Sequence, residues 1–211
     1  MKRFYDRYEA GRVLARELRQ YDQDPHVQVL GLPRGGVPVA FEISKALRVP
    51  LDVLIVRKLG VPGQEELAMG AISSGGVVFL NDSIVKSFQL PTLEIEEVIE
   101  REKKELERRE RLYRGHASSP LIRGKTVILV DDGIATGATL RAAMMMLRKQ
   151  QPAHLVVAVP VASFSSYEEM VRLADEVVCP LIPEDFYAVG AYYENFSQTT
   201  DEEVLSLLKR R

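Results

Sequence analysis

The chain has 211 residues, 46% of them hydrophobic, and its 28 basic against 30 acidic side chains leave a formal charge of −2. That length supports a single domain, 1–211, with a core of its own, and the balanced charge excludes the basic footprint of a nucleic-acid binder. A lone cysteine excludes an internal disulfide; with no secretory h-region and no apolar run near the roughly 20 residues of a membrane span, a cytoplasmic protein without a membrane partner is expected.

Residues 6–21 carry Ala10, Val13, Leu14, Glu17, Leu18 and Tyr21 at helical spacing, and Asp24-Pro25 ends that segment. Val27–Gly31 reads as a first strand, 37–47 as a helix after Gly35-Gly36, and 51–56 as a second apolar strand. Residues 59–76 hold glycines at 60, 63, 70, 75 and 76 without a core pattern, so a long loop is expected there, with a short strand at 77–80. Residues 92–114 form a charged helix: Thr92 suits its N-cap, Glu94, Glu96 and Glu97 its first turns, Arg111 and Arg114 its last, and Gly115 its stop. Strands follow at 127–130, 155–159 and 177–182, helices from near Thr139 to Lys149 and over 167–174, and a final helix from Asp201. Strands alternating with helices imply a mostly parallel sheet covered on both faces.

The most informative run is Val127-Ile128-Leu129-Val130-Asp131-Asp132-Gly133-Ile134-Ala135-Thr136-Gly137-Ala138-Thr139-Leu140. Four apolar residues make a buried parallel strand, and the two aspartates stand where it ends. Ligands of open α/β sheets bind outside the carboxyl ends of the strands. A short loop entering a helix supplies free N–H groups and a positive dipole end, a seat for phosphate; acidic groups beside it suit ribose hydroxyls or a divalent cation. A phosphorylated sugar with Mg²⁺ is the ligand this implies. The glycine spacing and the lack of a following Lys exclude a triphosphatase P-loop, and the dinucleotide G-x-G-x-x-G is missing as well. His26, His116 and His154 show no metal-ligand spacing. Cys179, in Val177-Val178-Cys179, reads as a small buried hydrophobe.

Two further loops share that edge. Arg34 offers a fork of donors matched to phosphate, and Gly35-Gly36 let backbone approach a ligand closely. Arg57-Lys58 are either a solvated strand end or cations for the same anion.

The run Val127–Leu140 resembles the phosphoribosyl pyrophosphate signature of type I phosphoribosyltransferases: an apolar strand, two acidic residues, a T-G-x-T-like loop. Arg34-Gly35-Gly36 is similar to the pyrophosphate loop of xanthine-guanine phosphoribosyltransferases, and Val56-Arg57-Lys58 with Pro62-Gly63 resembles the adenine enzymes. The likeness covers the chain from Gly31 to about Val159. It implies a Rossmann-like core with a small C-terminal hood at about 177–200, a flexible lid at 59–76, and a non-proline cis peptide in the Arg34 loop. It implies transfer of a 5-phosphoribosyl group from phosphoribosyl pyrophosphate to a nitrogenous base, purine-like if the hood is a guide, with release of pyrophosphate. Asp131 and Asp132 would bind the ribose 2- and 3-hydroxyls directly or through Mg²⁺. Ala135, Thr136, Gly137, Ala138 and Thr139 would hold the 5-phosphate; Arg34, Gly35, Gly36, Arg57 and Lys58 would hold the pyrophosphate.

The sequence departs from that pattern in places. Ala135 stands where some 6-oxopurine enzymes have an Asp, so no general base is named. In Leu181-Ile182-Pro183-Glu184-Asp185-Phe186, Phe186 is placed to stack on a base, but its spacing to Gly190 is one residue longer than in the hypoxanthine-guanine enzymes. Their Lys before the Ile is missing too, and an aromatic there is more often a core residue than a base stack. Two other functions remain open. A non-catalytic sensor of the same donor would use the same loops. Its nucleic-acid surface would be Arg108, Arg109, Arg111 and Arg114, yet these interleave with Glu102, Glu105, Glu107 and Glu110 as on a solvated helix. A phosphate-ester hydrolase would need a D-x-D-like nucleophile or a second metal cluster. The long helix 92–114 is a candidate homodimer contact.

Overall fold

The computed structural model describes residues 3–115 and 120–210. His116 lies outside them. Their contacts group them into two compact units: 3–53, 120–137 and 151–210 form one, 54–115 and 138–150 the other.

Unit 1 is built on a five-stranded parallel sheet in the order β2-β1-β6-β7-β8: β1 Val27–Gly31, β2 Leu51–Val53, β6 Thr126–Val130, β7 His154–Ala158 and β8 Glu176–Val178. Its central strands are buried nearly end to end, as parallel strands covered by helices must be. Helices α1 Arg7–Glu17 and α2 Gly36–Leu47 pack on each other, and α2 lies on β1. Asp6 caps α1 by accepting from the Glu9 N–H. Helix α6, Phe164–Leu173, packs on β8, and α7, Asp201–Lys209, on α2. Between β8 and α7 the chain is irregular except for a 3₁₀ turn at Val189–Tyr192. Cys179 is half-buried there and donates to the Leu181 carbonyl at 3.4 Å; burial pushes its thiol up to about 12.

Unit 2 carries an antiparallel sheet, β3-β4-β5: β3 Val56–Val61, β4 Gln64–Ser73 and β5 Val77–Leu80. The expected loop at 59–76 is therefore mostly two paired strands. The apolar run expected as one strand, 51–56, divides after Val53: β2 stays in the parallel sheet and β3 starts a new one. Helix α3, Asp82–Ser87, was not expected; Asn81 caps it. Helix α4 spans Thr92–Arg114 as read, but Pro91 holds the N-cap position and Thr92 is the first helical residue; Gly115 ends it. Its apolar stripe, with Ile95, Val98, Leu106 and Tyr113 buried, packs on β3 and β4, so that face is already covered within the unit. Helix α5, Ala138–Lys149, packs on β3, β4 and β5. Among the described residues, no helix is long and apolar enough to cross a membrane.

Candidate active site

The strand order reverses between β1 and β6. Chain connections leave these neighbours in opposite directions, which opens a crevice at their carboxyl ends. The register sets Gly31 of β1 beside Val130 of β6, and the Leu32 N–H donates to the Val130 carbonyl at 2.9 Å. The loop with Arg34, Gly35 and Gly36 thus lies against the one with Asp131 and Asp132. The Pro33–Arg34 peptide is cis, as the family likeness implied. Contact between the loops is tight. A Cβ on Gly35 would fall on the Asp132 carboxylate, and one on Gly36 would lie 2.6 Å from the Val130 carbonyl oxygen and 2.9 Å from the Asp131 Cα. Gly36 is there because two backbones touch, and Gly35 because the Asp132 carboxylate fills the place of a side chain.

Burial, and next the charge of Asp132, push the Asp131 carboxyl well above the usual carboxylate range. Burial raises Asp132 as well, opposed by Arg7. Arg7 is a residue that sequence reasoning missed. Its Nε and Nη2 both stand 2.8 Å from Asp132 Oδ2, and its Nη1 donates to the Ser197 carbonyl at 2.7 Å. The Tyr193 hydroxyl donates to the Asp132 carbonyl at 2.6 Å. Arg7 and Asp132 are 125 positions apart, so no local spacing could have signalled the pair.

The motif loop is pinned from one side. Ile134 donates to the Val161 carbonyl at 2.8 Å, and the Ser163 N–H returns a bond to the Ile134 carbonyl at 3.0 Å. Ser163 and Ser166 hydroxyls both donate to the Ala135 carbonyl, at 3.0 and 2.7 Å. These two serines also went unread; the trace they left was Ser163 as the N-cap of α6. Ala135 and Thr136 are exposed, and Gly137 has φ 71°, a left-handed conformation that favours glycine. Ala138 and Thr139 open α5, so this half of the motif belongs to unit 2.

Phe186 is half-buried and stacks on Tyr192, with centroids 5.6 Å apart and planes at 17°; the Tyr192 hydroxyl donates to the Asp185 carbonyl at 2.6 Å. One face of Phe186 is thus core packing. Arg34 is partly exposed, 3.9 Å from Asp201. Arg57 and Lys58 do not follow a strand of the parallel sheet, as expected, but lie within β3 of unit 2. Arg57 is engaged by Glu102 of α4, at 2.8 Å from Nε and 2.6 Å from Nη2.

Among the described residues, no three His, Cys, Asp or Glu groups are placed together to hold a metal. Two adjacent half-buried carboxylates still suit Mg²⁺, which takes one or two protein carboxylates and fills its octahedron with substrate oxygens and water. A cation there would also relieve the repulsion that raises Asp131.

A family profile described as phosphoribosyl transferase domain matches residues 2–196. A Mycobacterium tuberculosis H37Rv protein named as a phosphoribosyl transferase is 50% identical over all 211 residues, which make up 47% of its length. The same figures hold for its counterpart in strain CDC 1551. The chain thus spans about half the length of these curated relatives. The crystal structure of TT1426 from Thermus thermophilus is similar with a TM-score of 0.88 at 41% identity, covering 99% of this chain and 98% of that one. The Aquifex aeolicus protein AQ2163 shares the fold at 13% identity and a TM-score of 0.51, over 87% of this chain and 78% of its own.

Proposed function

This chain belongs to the phosphoribosyl transferase domain family, and from that premise we propose that it moves a 5-phosphoribosyl group from phosphoribosyl pyrophosphate to a nitrogenous, purine-like base and releases pyrophosphate. The observation that supports this reading most is the acidic pair at the end of β6, packed against a two-glycine loop at the sheet's reversal point. A carboxylate pair there suits the two ribose hydroxyls, and the loop backbone suits a phosphate.

The chemistry asks for placement rather than covalent participation. Positive charge develops at the ribose C1 as the bond to pyrophosphate breaks, and the carboxylates are set to hold the sugar while that happens. Ile134 to Thr139 would seat the 5-phosphate on N–H groups, with Ser163 and Ser166 fixing the Ala135 carbonyl and so the loop's conformation. Asp131 and Asp132 would hold Mg²⁺, which supplies charge neutralisation for the departing pyrophosphate. Arg34 would serve that anion too. Arg57 and Lys58 are carried in the reading as further cations for it, and 59–76 as the segment that excludes water. Phe186 is the candidate base stack. Cytoplasmic residence accords with such a substrate.

The test is a panel of purine and pyrimidine bases incubated with donor and Mg²⁺ and scored by pyrophosphate release. Turnover with one base supports the reading and names the acceptor. Donor binding without turnover of any base would favour the sensor instead.

A further inference from the structure

We propose that Arg7 is a positioning residue that sets the Asp132 carboxylate to receive the ribose hydroxyls of the donor, a role that rests on the reading of the acidic pair given above. The guanidinium is held on every side. Nε and Nη2 both reach Asp132 Oδ2, Nη1 reaches the Ser197 carbonyl, and the Phe196 ring lies 3.9 Å from the guanidinium carbon. Its side chain is only 11% exposed. A planar fork with three anchors cannot swing, so the carboxylate it holds cannot rotate freely either.

The anchors are themselves tied together. Glu194 and Asn195 N–H groups donate to the Phe4 and Tyr5 carbonyls, each at 2.8 Å, and Tyr193 packs on Phe4 with centroids 5.7 Å apart. The same Tyr193 holds the Asp132 backbone through its carbonyl. Residues 4–7 and 192–197 therefore form one strap, closed over a single residue of the motif. An ion pair that served only the fold would need none of this convergence. Both Arg7 donors take the same oxygen, Oδ2, against which the Gly35 backbone also packs. Neither Arg7 donor takes Oδ1, and the proposed role assigns that oxygen to a hydroxyl.

Titration calorimetry with phosphoribosyl pyrophosphate and Mg²⁺ tests this on the wild type, Arg7→Met, Arg7→Lys, Asp132→Asn and the Arg7→Met/Asp132→Asn double variant, with thermal melting of each. Arg7→Met is expected to lose about 10- to 100-fold in donor affinity, the scale of losing a group that orients a ligating carboxylate. Arg7→Lys should recover part of it. The double variant should bind no worse than Asp132→Asn, because both changes act through one carboxylate. Wild-type affinity in Arg7→Met, or additive losses, would overturn the role while leaving the acidic pair in place. Should Arg7→Met unfold, Arg7→Lys decides: about tenfold weaker binding supports the role, since a lysine cannot keep all three anchors, and unchanged binding overturns it. A wild type that binds no donor brings down the reading of the acidic pair, and this role with it.

Discussion

The parallel sheet of unit 1 and the antiparallel sheet of unit 2 handle their polar residues in opposite ways. In unit 1 the central strands β6 and β7 are apolar after their first residue, Asp52 of β2 is the one buried charge within a strand among the described residues, and the polar residues of the site collect in the turns beyond Gly31 and Val130. Chemistry there is added at the edge of a finished core. In unit 2 Arg57 and Lys58 sit inside β3, between buried Val56 and Leu59, and Arg57 is neutralised by Glu102 of a packed helix. Charge there is part of the packing. Substitutions in the turns of unit 1 should therefore change activity and spare stability, while substitutions in the strands of unit 2 should do the reverse.

The largest effect expected is on unit 1 chemistry. Replacing Asp131 and Asp132 together by Asn keeps shape and hydrogen-bonding oxygens but removes both charges. Turnover should fall by on the order of 10³-fold or more, the scale of losing a preorganised charge at a reacting centre. Folding should survive, because relief of the repulsion that raises Asp131 offsets what Arg7 loses. Pyrophosphate release and thermal melting on one preparation check both halves. A large drop in melting temperature would erase the contrast between the units.

Next comes Ala71→Pro in β4. The central strand bonds to β3 and β5, and Ala71 is fully buried opposite Lys58 and Phe79. A proline there removes a ladder donor and leaves an acceptor unsatisfied, for a cost of about 3 kcal/mol. Urea unfolding measures it. Were 59–76 the open loop its glycines suggest, the substitution would be nearly neutral.

That expectation shows where sequence patterns stop being informative. Val27–Gly31 and Thr92–Arg114 matched to the residue, the first because a doubly covered strand is continuously apolar, the second because charge bias and Gly115 mark both ends. The hairpin escaped because its alternation is broken. β3 carries two adjacent charges, and register shifts occur between Leu59, Gly60 and Val61, where glycine admits irregular pairing. The end of β2 escaped because Leu54 and Ile55 are as apolar as their neighbours, so nothing in composition marks a change of sheet. At the site, the acidic pair and the glycines were legible because they are contiguous. Arg7, Tyr193, Ser163 and Ser166 were not, because only folding brings them to the motif.

A smaller loss is expected for Gly35→Ala. Gly35 has φ −62° and ψ −31°, a conformation open to alanine, so the backbone gives no reason for a defect. The added methyl would land on the Asp132 carboxylate. Displacing that group by about 1 Å should lower kcat/KM up to about 100-fold, with the melting temperature unchanged. Normal activity would mean that the carboxylate has room to move, contrary to its confinement by Arg7.

The smallest effect belongs to the charged surface of unit 2. Hydrogen bonds from Arg108, and then from Arg109, hold the Glu105 carboxyl at about 2, below its usual 4.5. A depressed carboxyl stabilises the fold above the unfolded value and ceases to do so as pH falls through the folded one. The contribution is complete above about pH 5 and disappears toward pH 2. Glu105 is about a third exposed, so solvent screens the pair, and Glu105→Gln should cost only about 0.5 kcal/mol at pH 7. The cost should shrink with added salt and vanish near pH 2. Urea unfolding of wild type and variant across that range reads the difference directly. A cost that persisted at pH 2 would show that Glu105 acts by packing along α4 rather than by charge, and would extend the rule of unit 2, where charges belong to the packing, out to its surface.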